Sequence, residues 1–144
     1  MKNLEVVSKD LQKIKVLISV PSPSKEEPYA PYIWGVLKSY WEDHTNFKSN
    51  VDWLPPIYKR ASAKKLLKPY LKEIPDVLGL SCYVWNWDLN CKIAAYIKTK
   101  NPNCVVIAGG PHPDYKDKEF FKKHPYIDIV AVKDGEVTLS LIHI

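Results

Sequence analysis

The chain has few of the residues that build covalent or flexible scaffolds: three cysteines, five glycines and one methionine among 144 residues. Cys82, Cys91 and Cys104 are odd in number and show no CxxC spacing. That pattern excludes a disulfide framework or zinc ribbon and reads as thiols buried in a reducing compartment. Glycine is scarce against the usual share of about 7%, and no repeat, linker or low-complexity segment is present. No apolar run approaches the roughly 20 residues of a membrane-spanning helix. Met1 opens a polar start without a signal-peptide core, so a cytoplasmic location with no membrane partner is expected. The net charge of +5 comes from scattered lysines, not a basic stripe interleaved with aromatics. Surface solvation accounts for them, and no nucleic-acid partner is expected.

Several kinds of chemistry are missing as well. The first loop, Pro21 to Pro31, has neither GxGxxG nor a P-loop nor a Ser/Thr/Gly-rich flavin phosphate loop, so it offers no usual cradle for a dinucleotide or triphosphate. No acidic residue ends the first apolar run, as a phospho-receiver requires, and no GxSxG elbow exists. His44 and His124 stand apart and read as solvated ends of helices. Pro55-Pro56-Ile57-Tyr58 matches a WW-domain ligand, a pattern that four residues meet readily by chance.

What the chain does have is alternation. With 46% hydrophobic residues over 144, it fits one domain able to bury roughly 68–70% of its unfolded surface. Buried strands are expected at Ile14 to Val20, Val51 to Leu54, Asp76 to Ser81, Cys104 to Ala108 and Ile127 to Val132. Between them, helical spacing appears over Tyr32 to Glu42, Ala61 to Ile74, Leu89 to Lys100 and Asp114 to Lys123, with Pro69 an internal blemish in the second. Asp134-Gly135-Glu136 opens a further helix. Five strands alternating with helices predict an α/β doubly wound parallel sheet in three layers, αβα.

In such sheets ligands bind beyond the carboxyl ends of the strands. Two loops there stand out. Gly109-Gly110-Pro111-His112 follows a buried strand directly, and two glycines admit a positive φ and a ligand approaching without a Cβ in the way. A tight strand-to-helix turn alone would justify one of them. Valine at either position is expected to obstruct a ligand while leaving the fold largely intact. Ser81, ending the third strand, can donate to a ligand or cap local backbone. Tyr83, Trp85 and Trp87 put large rings at the same edge, suiting a flat ligand or a covering domain, although packing on the adjacent helix can absorb one or two. Asn86 adds a donor and an acceptor.

Taken in order, GLSCYVWN, IKTKNPN, VVIAGGPHP and YIDIVAVKDGE-T make Lys15 to Thr138 resemble the N-terminal cobalamin-binding domain of cobalamin-dependent radical S-adenosylmethionine enzymes. Asp134 departs mildly from the glycine common there. The resemblance implies a flavodoxin-like (Rossmann-like) sheet with the corrin over the strand ends and the nucleotide tail in a crevice beside Gly109-Gly110. It places Ser81 near the tail base and Tyr83, Trp85 and Asn86 near the corrin. Cys82, Pro111, His112, Pro21, Ser22, Gly135 and Glu136 complete the implied cofactor-binding set. The Asp-x-His-x-x-Gly motif that supplies a lower cobalt ligand elsewhere is missing from the first loop. No CxxxCxxC triplet is present to hold an iron–sulfur cluster. The 4Fe-4S cluster and S-adenosylmethionine are therefore expected on a covering radical domain of the same polypeptide, the catalytic partner for methyl transfer or other radical chemistry.

The expected organisation is a lead over 1–13, the cobalamin-binding domain over 14–138 and a non-native tail over 139–144. That tail, Leu-Ser-Leu-Ile-His-Ile, matches one reading frame of a common sequencing adapter, so the natural protein is expected to continue beyond Thr138. Two rivals remain: a flavodoxin-like interaction domain without cofactor, and half of another α/β enzyme such as a glycosyltransferase. The glycine loop with Ser81 favours the first reading. The lack of acid/base pairs disfavours the enzyme.

Overall fold

A computed structural model describes residues 12–133 and Gly135. Five strands, β1 (Ile14–Ser19), β2 (Val51–Trp53), β3 (Val77–Ser81), β4 (Val105–Gly109) and β5 (Ile129–Val130), form one sheet in the order β2-β1-β3-β4-β5. Every pairing is parallel. The order reverses between β1 and β3, the switch point at which flavodoxin-like sheets open a crevice at their carboxyl edge. The register sets Ser81 opposite Gly109 and Ser19 opposite Leu80, so the loops after β1, β3 and β4 leave the same edge side by side.

Period-two alternation divides the strand side chains between two faces. One face carries Leu17, Leu78, Leu80, Val106 and Ala108 against Ile93, Ala94 and Ile97 of α3 (Trp87–Lys100), Leu67 of α2 (Ala63–Leu67) and Phe120 of α4 (Phe120–Lys123). The other carries Val16, Ile18, Val77 and Ile107 against Ile33, Trp34 and Leu37 of α1 (Tyr32–His44). Three helices cover the first face and one covers the second among the described residues. The fold is the expected αβα sandwich, and no described helix is long and apolar enough to cross a membrane.

Two expected helices are much shorter than their apolar spacing suggests. The segment expected over Ala61 to Ile74 is helical only over Ala63–Leu67, then tightens into a 3-10 turn at Lys68–Tyr70. Pro69 has no N–H for the α-helical bond and its ring collides with the preceding turn. Of the expected stripe Leu66, Leu67, Tyr70, Leu71 and Ile74, all but Leu71 reach the core; Leu71 is exposed, because the backbone leaves the helix before it. Over Asp114 to Lys123 only the last four residues are helical. The Asp114 carboxylate accepts from the Lys116 N–H at 3.1 Å and the Asp117 carboxylate from the Glu119 N–H at 2.9 Å. These local bonds offer the backbone an alternative to the helix. The pairing of β5 is also shorter than Ile127 to Val132. The WW-like tetrapeptide is no free ligand: Ile57 is 3% exposed, and its backbone bonds Ile18 and Val20 of the β1 end.

Candidate functional site

At the carboxyl edge, on the α1 face, a crevice of about 280 Å³ opens beside the switch point. Its floor is Ile18, Gly79, Ile107 and Gly109, its wall Ile33 and Leu37 of α1, and its rim Ser81, Tyr83 and Gly110. Ala131, Lys133 and Gly135 close the far side, where a Cβ on Gly135 would lie 3.9 Å from Leu37 Cδ2. Four of the chain's five glycines line this one space. Mid-strand Gly79 is there because a side chain would fill the floor: its Cβ would stand 2.7 Å from Ile18 Cδ1. The volume falls just below the roughly 300–1,000 Å³ that holds a whole small-molecule ligand. A crevice of that size admits one arm of a larger molecule and leaves the rest above the strand ends.

The two loop glycines have different jobs. A Cβ on Gly109 would meet nothing closer than Ala131 Cβ at 3.6 Å, so its missing side chain is space given to the crevice. Gly110 has φ +91°, and its Cβ would sit 2.5 Å from the Cys82 carbonyl oxygen. This corrects the expectation that both tolerate valine: Gly110 is required by the turn itself.

Ser81, Tyr83, Gly109, Gly110 and Gly135 therefore meet in the crevice. No hydrogen bond among the described residues uses the Ser81 hydroxyl, which leaves it available at the rim. Trp85 stands just outside, 41% exposed and stacked on Tyr83 with ring centroids 4.6 Å apart and planes 5° from parallel. The Arg60 Nη1 donates to the Trp85 carbonyl at 2.7 Å and holds this aromatic step in place.

The remaining expected residues serve the scaffold. Asn86 is fully buried. Its Nδ2 donates to the carbonyls of Ser81 at 3.0 Å and Pro21 at 3.2 Å, and its Oδ1 accepts from the Tyr83 N–H at 2.8 Å. With donor and acceptor both used, it knots the β1 and β3 loops together and has nothing to offer a ligand. Asn90, one turn later and equally buried, accepts from the Ser19 hydroxyl at 2.8 Å and donates to the Ser81 carbonyl at 3.2 Å. Cys82 is buried, its N–H bonds the Gly109 carbonyl at 2.8 Å, and burial pushes its thiol up to about 12. Pro21 and Ser22 are buried too, the Ser22 hydroxyl donating to the Tyr58 carbonyl and accepting from the Tyr29 N–H, each at 2.8 Å. Pro111 is exposed and outside the crevice lining, and Glu136 lies outside the described residues.

His112 leans away from the crevice onto Trp87, ring centroids 5.0 Å apart. Trp87 also packs against Phe120 and His124, so this tryptophan belongs to the α3–α4 packing and not to the ligand edge. His124, expected as solvated, is partly buried there, with Nδ1 3.1 Å from the Tyr126 hydroxyl. Desolvation, reinforced by Lys123, holds its pKa below the ordinary value. Sequence reasoning missed Gly79, Asn90 and Lys133. Gly79 had a signal, a glycine inside a run of strand formers. Asn90 had a weak one in its spacing from Asn86, and Lys133 had none.

An open parallel sheet with a switch-point crevice defines a ligand-holding α/β domain, and comparison with known proteins says of which kind. The B12-binding domain family matches residues 48–142, and the chain belongs to that family. It is 38% identical over 112 residues to the cobalamin-dependent radical SAM methyltransferase TokK of Streptomyces tokunonensis, covering 78% of this chain and 16% of that protein. It is 34% identical over 109 residues to the 2-(S-pantetheinyl)-carbapenam-3-carboxylate methyltransferase of Streptantibioticus cattleyicolor, covering 76% and 16%. The chain thus spans a small fraction of the length of these relatives. Among solved structures, a cobalamin-binding protein from Desulfitobacterium hafniense superposes with a TM-score of 0.61 at 11% identity, covering 92% of this chain and 58% of that one. That likeness bears out the fold.

Proposed function

We propose that this domain holds cobalamin, with the nucleotide tail in the switch-point crevice and the corrin over the strand ends beside Tyr83 and Trp85. The observation that carries the reading is the crevice itself: four glycines and a free serine hydroxyl at the carboxyl edge, sized for one arm of a larger ligand. Gly79 and Gly109 give the tail room, and Ser81 offers a hydroxyl to the buried end of the tail base. Ile18, Ile33, Leu37 and Ile107 supply apolar walls that displace water from a flat ring. The stacked Tyr83–Trp85 pair offers an aromatic surface to the corrin edge. When bound, cobalamin supplies a cobalt–carbon bond for methyl transfer, chemistry that belongs to the cofactor. The residues here position it and exclude solvent.

In the whole polypeptide, the domain presents the upper face of the cofactor to a radical domain carrying a 4Fe-4S cluster and S-adenosylmethionine. The relatives' length beyond the matched region supports that reading. The domain proper runs over 14–138, and free cysteines buried at Cys82 and Cys104 suit a cytoplasmic protein.

The test is direct. Purified 144-residue chain is mixed with hydroxocobalamin, free cofactor is removed by gel filtration, and the visible spectrum of the protein peak is recorded. Retained corrinoid is expected. Gly109→Val, which places branched carbon in the crevice, is expected to retain little while unfolding at nearly the wild-type temperature. Colourless wild-type protein that is folded by circular dichroism would overturn the proposal in favour of an interaction domain.

A further inference from the structure

The crevice is apolar over most of its lining, and its one cationic residue among the described residues is Lys133. The same residue has φ 71°, the only positive φ outside glycine among the described residues. A left-handed lysine is less stable than a glycine in the same place, because its Cβ crowds the neighbouring carbonyl. Strain of this kind collects where a side chain is needed at a ligand. None of the ion pairs among the described residues involves Lys133.

We infer that Lys133 is the counter-ion for the phosphodiester of the cofactor's nucleotide tail, gripping the tail at the far rim of the crevice. The inference rests on the cobalamin reading and adds to it the residue that compensates the tail's charge. A phosphodiester carries one negative charge at neutral pH, and bringing it against apolar walls is costly without a partner. Ser81, across the rim, offers a neutral hydroxyl only. An ammonium on a flexible four-carbon stem needs no fixed geometry to pair with phosphate oxygen. Lys133 thus trades local backbone stability for tail recognition.

The experiment measures equilibrium binding of hydroxocobalamin and of hydroxocobinamide, the same corrin without phosphate, ribose or base. Lys133→Met is expected to weaken hydroxocobalamin binding about three- to tenfold at low salt, the range of a charge-assisted contact that is partly screened. Hydroxocobinamide binding is expected to stay unchanged, and Lys133→Arg to keep most of the wild-type affinity. Lys133→Gly is the decisive variant: it should bind hydroxocobalamin as weakly as Lys133→Met yet unfold at the same temperature as wild type or higher. Equal hydroxocobalamin affinity in wild type and Lys133→Met, or equal loss for both corrinoids, overturns the inference while leaving the cobalamin reading standing. Failure of wild type to bind hydroxocobalamin overturns both.

Discussion

Removing the Asn86 carboxamide probes the part of the scaffold on which the site depends. In Asn86→Ala three backbone groups lose a partner: the Tyr83 N–H, the Pro21 carbonyl and the Ser81 carbonyl. Ser81 keeps the Asn90 Nδ2 at 3.2 Å, so two groups are orphaned. A buried unsatisfied donor or acceptor costs about 1–3 kcal/mol, so the variant should lose about 2–6 kcal/mol. Asn90→Ala should cost less, because the Ser81 carbonyl keeps Asn86 and the Ser19 hydroxyl can rotate. In the double variant the Ser81 carbonyl loses both donors, so the double should exceed the sum of the singles by about 1 kcal/mol. Asn86→Asp keeps the acceptor for Tyr83 but turns a carboxylate oxygen toward two carbonyls. Its pKa in the folded protein is then raised above the unfolded value, so the folded state binds the extra proton. Stability should therefore fall as pH rises from about 4 through that raised pKa, the reverse of a paired aspartate. Urea titrations followed by tryptophan fluorescence and circular dichroism measure each value, with an unchanged m confirming that the folded state is the same. An Asn86→Ala cost within about 0.5 kcal/mol, as for a surface substitution, would refute the reasoning.

Gly110→Ala should destabilise by at least about 1–2 kcal/mol from the left-handed backbone alone, with more from the Cys82 backbone 2.5 Å from the new Cβ. Thermal unfolding checks this, and a variant as stable as wild type contradicts the turn geometry. His124 has a folded pKa below its ordinary 6.5, chiefly through desolvation and then through Lys123. Its contribution is fully present above 6.5 and is lost as pH falls through the folded value. Wild-type stability should therefore decline below about pH 6.5 more steeply than that of His124→Gln, and identical pH profiles would count against a desolvated imidazole.

Strands and sheet were readable because burial on both faces writes a parallel strand as a near-continuous apolar run, as in Ile14 to Ser19 and Val105 to Ala108. Short crossovers then left few topologies. Helix lengths were less readable. An apolar stripe reports which residues reach the core and not whether the backbone between them is helical. Pro69 and the two aspartates Asp114 and Asp117 decided that locally. Within the site, Ser81 and Gly109 followed from position at a strand end, which the period fixes. Asn86 and His112 lay at the same edge, but the directions of their side chains depend on which neighbours need a donor or a ring. Asn86 faces three backbone groups and His112 faces Trp87. A linear sequence does not carry that information. Lys133 is a further case, since what marks it is a backbone angle and a place in the crevice lining.

This arrangement divides the carboxyl edge into two sets of residues. Asn86, Asn90, Gly110 and Arg60 hold the loops after β1, β3 and β4 by side-chain bonds to the backbone and by a glycine turn. Gly79, Gly109, Ser81 and Lys133 line the open crevice, and among the described residues no side-chain group of theirs is used in a hydrogen bond or ion pair. A crevice in a marginally stable domain keeps its shape only if its walls are fixed by groups other than those meeting the ligand. The division accounts for why polar residues so close to the crevice are buried, and why small or strained ones line it. It also means that stability and ligand retention should vary independently across this edge. Substitutions in the first set should lower the unfolding temperature before they touch affinity for corrinoid in the protein that remains folded, and substitutions in the second should do the opposite. A variant series in which the two quantities fall together, residue by residue, would show that the crevice and its frame are one structure and not two.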